Sequence, residues 1–144
     1  MSKIIVSVGL IFLFGLSAEA GDAVAVGYNS EGIWTAVTYN RSSTPKAGTH
    51  YRKATQACIA ALRDLRVRAA ENLAKASILA GSDLTGYVAV ARGKAVSGTD
   101  VNVVDYGKSQ AQADKKALAD LNRDHATADQ KVVYRYFSYG ADSK

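Results

Sequence analysis

The residues able to do covalent or proton-transfer chemistry in this chain are few. Its one cysteine, Cys58, stands eight positions after His50, and the other histidine is His125. A thiolate nucleophile needs a base within hydrogen-bond reach, and eight helical residues span about 12 Å. His50 is therefore out of direct reach, and His125 can meet Cys58 only through the tertiary fold. Cys58 also falls at helical spacing with Ala54, Ala61 and Leu62, which reads as a small buried hydrophobe. A single cysteine forms no internal bridge, so stability must come from core packing. Two isolated histidines and one helical cysteine do not supply the ligands of a zinc site. There is no H-E-x-x-H, C-x-x-C or EF-hand run, and neither a metal nor a cofactor is expected. Residues 93–98 hold Lys94 and Ser97 between glycines. They join two strands, whereas a phosphate cradle needs a strand-to-helix junction.

Carboxylates offer a second chemistry. Asp100 and Asp105 flank an expected strand, and Asp64 and Asp120 sit on expected helices. Two of them facing across about 5 to 10 Å would suit an acid and base pair for glycoside hydrolysis. A chain with 13 acidic residues offers many such pairs, and its sequence singles out none.

A third chemistry is recognition. In the last expected strand, residues 131–139, Tyr134 and Tyr136 fall on one face and Arg135 and Phe137 on the other. Aromatic rings beside a cation stack on sugars or on a partner's side chains. Tyr134, Arg135 and Tyr136 are therefore the candidate binding residues, set against the plainer reading of one core face and one solvated face. At a sheet edge this strand would also be open to pairing with another chain. Arg63, Arg66, Arg68 and Lys75 add a basic run to the first helix. That run suits lipid headgroups or an anionic polymer as well as the wet face of an amphipathic helix.

The elements that must position these residues read as two copies of one unit, at about 21–80 and 85–140. Asp22-Ala23-Val24-Ala25-Val26-Gly27-Tyr28 opens the first and Gly86-Tyr87-Val88-Ala89-Val90-Ala91-Arg92 the second, with Val24-Ala25-Val26 laid on Val88-Ala89-Val90. Both are short, β-branched and alternating, and each leads into a glycine-bearing turn. Second strands follow at 33–39 and 100–106. Helices follow these, with Ala57, Ala61, Leu62 and Leu65 matching Ala113, Ala117, Leu118 and Leu121 on one face. The first helix is expected to run on through Val67, Leu73, Ala76 and Leu79 to Gly81, and the second to stop near Asn122. The expected order is strand, strand, helix, strand, strand, helix, strand. This gives an α+β domain with a mostly antiparallel sheet of about five strands and both helices packed on one face.

The first twenty residues read as an address. Lys3 is followed by an apolar run at 4–16 and by Ala18-Glu19-Ala20, the A-x-A pattern of a secretory signal. A bilayer-spanning helix needs about 20 apolar residues, so the run reads as a cleaved signal peptide. Gly21 is then the expected mature N-terminus, heading a single soluble domain over 21–144. Of 18 Lys and Arg and 13 Asp and Glu, the signal removes Lys3 and Glu19, leaving 17 against 12 and a net charge of +5. A mildly basic surface favours anionic neighbours.

Gly86-Tyr87-Val88-Ala89-Val90-Ala91 and Gly21-Asp22-Ala23-Val24-Ala25-Val26, with Val26 in place of the final alanine, fit a duplicated G-x-x-A-x-A unit. The tract from Tyr106 through Lys108, Gln110 and Ala113 to Leu118 fits an alanine-rich helix following a hairpin that ends on an aromatic. In these features the chain resembles an uncharacterised family of exported bacterial proteins, well represented among mycobacterial secreted proteins. It lacks the paired cysteines that follow the helices in that family. The resemblance implies export and a fold, and carries over no catalytic residue. The reading as a whole is an exported, non-enzymatic interaction protein of the periplasm, cell surface or medium. Its expected ligand is a protein partner or an anionic envelope polymer, not a specific nucleic acid. The alternatives are a small exported cell-wall hydrolase using paired carboxylates, and a secreted effector.

Overall fold

The computed structural model describes residues 22–41, 54–82 and 85–139. His50, Pro45 and the expected signal peptide lie outside the described residues. The described residues divide into two compact units, one within 22–82 and one within 85–139.

In the first unit, β1 (Asp22–Tyr28) and β2 (Trp34–Arg41) form a hairpin, followed by α1 (Ala54–Ala69), a 3-10 turn (Ala70–Asn72) and β3 (Lys75–Ser82). The strands run antiparallel in the order β2-β1-β3. Asn29 builds the hairpin turn. Its Oδ1 accepts from the Glu31 and Ile33 amides at 3.0 and 2.9 Å, and its own amide donates to Ile33 O at 2.8 Å. Gly32 closes the turn with φ 77°, a conformation that glycine adopts without steric cost.

The core of this unit is mostly alanine. Ala57, Cys58, Ala61, Leu65 and Ala69 of α1 pack on Ala23, Ala25, Ala36 and Ala76 of the sheet. Small side chains on both surfaces bring helix and sheet close, and one polar tie uses that closeness: Thr38 Oγ1 donates to Ala61 O at 2.7 Å. Leu65 is the largest fully enclosed side chain among the described residues of this unit, followed by Val24 and Val26.

The second unit holds β4 (Thr85–Lys94), β5 (Asp100–Gly107), α2 (Gln110–Arg123) and β6 (Ala128–Tyr139), with strands antiparallel in the order β5-β4-β6. Ala113, Ala117 and Leu121 of α2 pack on Ala89 and Ala91, with Ala126 beside them. Both ends of α2 are capped. Ser109 accepts from the Gln112 amide at 3.2 Å, while the Gln112 side chain reaches back to the Lys108 amide at 2.7 Å, a capping-box exchange displaced by one residue. At the other end His125 takes φ 58°, its amide bonds Asn122 O, and the Ala126 amide bonds Leu121 O. That is a Schellman motif, with Leu121 and Ala126 supplying its apolar contact.

The α+β class and the antiparallel strands are as expected. The single sheet of about five strands is not: six strands form two three-stranded sheets, each carrying its own helix. The sixth strand is the stretch expected to continue α1. Ala70, at φ 46°, ends the helical path, and β3 then pairs with β1 from Lys75 to Ser82. Its apolar residues sit at a spacing that suits either structure. Ala76 and Ile78, two apart, are the ones that meet the core, which is strand periodicity.

The registers also place the two opening strands differently from the sequence match. Tyr28 faces Trp34 where the first hairpin closes, and Lys94 faces Asp100 where the second does. By that criterion Ala23, Ala25 and Gly27 correspond to Ala89, Ala91 and Gly93, two residues along from the Val-Ala-Val match. A slip of two keeps every side chain on its face, so the sequence pattern could not expose it.

Candidate functional site

The three residues singled out on the last strand separate across β6. Tyr134 and Tyr136 pair with Val90 and Val88 of β4 and lie on one face, with ring centroids 6.0 Å apart. Tyr134 is exposed and Tyr136 half-buried. A bulge between Val90 and Ala91 moves the register by one, so Lys131, opposite Arg92, shares the Tyr134 face. This places an exposed cation beside the rings, as the recognition chemistry asks, but it is Lys131 and not Arg135.

Arg135 occupies the α2 side. Its guanidinium grips Asp114 in a fork, with Nη2 to Oδ2 at 3.0 Å and Nε to the two carboxylate oxygens at 3.1 and 3.2 Å. The Asp114 carboxyl is held below its ordinary range, first by that hydrogen bonding and further by Gln110. Arg135 therefore ties β6 to α2. Next to it Phe137 meets Tyr87 edge-on at 5.0 Å.

The nucleophile reading finds no support in the placement of its parts. Cys58 is buried in the α1 core, and burial pushes its thiol above the ordinary value. His125 is exposed at the α2 C-terminus. Among the described residues no group of three or more His, Cys, Asp or Glu could hold a metal ion.

Of the four carboxylates, two are brought together. Asp105 of β5 and Asp120 of α2 lie near enough that the Asp120 carboxyl disfavours ionisation of Asp105. Burial first, then the Asp120 carboxyl, raises Asp105, while Lys116 opposes the shift. Asp120 also pairs with Arg123. Asp100 is buried against Lys94, Nζ to Oδ1 3.0 Å, and Asp64 lies on α1 at 3.9 Å from Arg63. Neither periodicity nor spacing marks Asp105 and Asp120 as partners, because only the packing of α2 on β5 makes them neighbours.

Arg63, Arg66 and Arg68 of the basic run lie on α1 as expected and are exposed; Lys75, expected on the same helix, is exposed at the start of β3, because the helix ends at Ala69. Two aliphatic side chains lie among them: Ile59, which the sequence reading passed over, and Val67, which it placed with the apolar residues continuing the helix, are 62% and 77% exposed. A helical wheel carried past the alanine stripe to the opposite side would have found them. Among the described residues no helix is long and apolar enough to cross a membrane. No family model, curated protein or solved structure matches this chain.

Proposed function

We propose that this chain is an exported interaction protein that binds an anionic partner in the cell envelope, without catalysing a reaction. The observation that carries the reading is the set of exposed cations. Asp100, Asp114 and Asp120 are engaged by Lys94, Arg135 and Arg123, while Glu31, Glu71, Asp124 and Asp129 are exposed. Arg63, Arg66, Arg68, Lys75 and Lys131 point to solvent. With a net charge of +5, such a surface draws anionic ligands, and the attraction weakens with salt. The apolar run at 4–16 and Ala18-Glu19-Ala20 support export. The common strand order of the two units supports a duplicated origin, and with it the resemblance to exported proteins built from paired hairpin-helix units.

The hydrolase alternative has one carboxylate pair to call on. Asp105 and Asp120 are neighbours, but Asp120 is already paired with Arg123, whereas glycosidase carboxylates stand about 5 Å or more apart with the reacting sugar between them. The binding reading is tested by immobilising the full chain and applying an anionic uronate polymer and a neutral glucan at low and high salt. Retention of the uronate alone, lost at high salt, is the expected outcome. Equal retention of both polymers, or of neither, overturns the reading for polymers of this class.

A further inference from the structure

The outward side of α1 carries side chains that the core does not need. At about 100° per residue, Arg66, Ile59, Arg63 and Val67 fall within an arc of roughly 100° opposite Ala57, Ala61 and Leu65. Helix-dipole complementarity explains cations in the last turn, where Arg66 and Arg68 stand. It explains neither Arg63, whose side chain is 73% exposed, nor two branched aliphatics left in water. No described acid falls within the arc: Asp64 lies about 60° beyond its edge, and its carboxylate makes a long, exposed contact with Arg63 at 3.9 Å. The face is therefore both cationic and apolar, with the two kinds of side chain interleaved.

One kind of surface answers both. A soluble polyanion offers charge but nothing apolar to receive Ile59 and Val67. The boundary of an anionic bilayer offers phosphates at one depth and acyl chains a few ångströms below, which is how interfacial helices bind. We propose that this face of α1 seats on an anionic phospholipid surface, with Arg63 and Arg66 at the headgroup phosphates and Ile59 and Val67 reaching the acyl boundary. The proposal rests on the reading of the chain as a binder of anionic envelope partners, and names the partner for one face.

The test is co-sedimentation of the full chain with phosphatidylcholine vesicles, with and without phosphatidylglycerol. Residues 4–16 are common to every variant, so differences between variants report α1 alone. R63Q/R66Q should bind the anionic vesicles about thirtyfold more weakly, at about fivefold per arginine near such a surface. R63K/R66K should retain binding, and I59S/V67S should lose the part that survives high salt. All four substituted positions are exposed, and circular dichroism confirms that the helix is intact. Equal binding of wild type and R63Q/R66Q overturns the proposal, while uronate retention by the same two proteins still stands for the broader reading. Absence of salt-sensitive binding to vesicles and polymer alike overturns both.

Discussion

At Gly93 the backbone of β4 runs against the chain leaving α2. A Cβ there would lie 2.4 Å from Ala126 O, a backbone atom that cannot turn aside as a side chain would. Gly93→Ala should therefore cost about 1–3 kcal/mol, the range for forcing extra volume into a packed site, seen as a lower urea midpoint with an unchanged slope. Gly27 offers a contrast. Its Cβ would lie 2.6 Å from Leu73 Cδ1, a flexible side-chain end, so Gly27→Ala should cost less. Cys58 gives a second prediction at this scale. A thiol that is buried and held protonated reacts slowly, because the thiolate is the nucleophile. A thiol reagent should label Cys58 only at the rate of unfolding, and rapid labelling of the native protein would contradict its placement in the core.

Among the elements, α2 has the most fully specified ends, and one capping residue stands in a conformation that does not suit it. His125 occupies the left-handed position of the Schellman motif at φ 58°, where glycine carries no Cβ penalty. His125→Gly should stabilise the protein by about 0.5–1 kcal/mol, measured by thermal or urea unfolding; a loss of stability would mean that the imidazole has a partner worth more than the strain. The same scale shows how far the sequence could be read. The hairpins were legible because alternation and turn residues are local. Both alanine stripes were legible because they repeat with the helical period. Strand β3 was not, since Lys75-Ala76-Ser77-Ile78-Leu79-Ala80 has little β propensity and becomes a strand through its pairing with β1. The division into two sheets was hidden for the same reason: strand partners are chosen by tertiary contacts that no single segment encodes. On the last strand, alternation placed the tyrosines together, yet the bulge that brings Lys131 to their face, and the Asp114 fork that holds Arg135, lay beyond any pattern in the strand itself.

For the molecule as a whole, two carboxyls make stability depend on pH with opposite signs. Asp114 is held below its ordinary range by Arg135. Its contribution is present above the unfolded carboxyl value of about 3.9 and is lost as pH falls through the lower, folded value. Asp105 is raised by burial and by Asp120. Its contribution is fully present below about 3.9 and is lost as pH rises through the higher, folded value. Lowering the pH from neutrality should therefore first strengthen the fold, as Asp105 takes up its proton. Further acidification should then weaken it, as Asp114 is protonated and releases Arg135. Both side chains belong to the second unit and touch different partners, so their effects should separate. Asp105→Asn should flatten the weakly acidic limb, and Asp114→Asn the more acidic one. The second effect should stay within about 1 kcal/mol, because Arg135 is more than half exposed and solvent screens such pairs. Urea midpoints collected from about pH 3 to 7 resolve the two limbs. A wild-type curve that falls monotonically from neutral pH, and is unchanged in Asp105→Asn, would show that the Asp105 carboxyl is not raised in the folded protein.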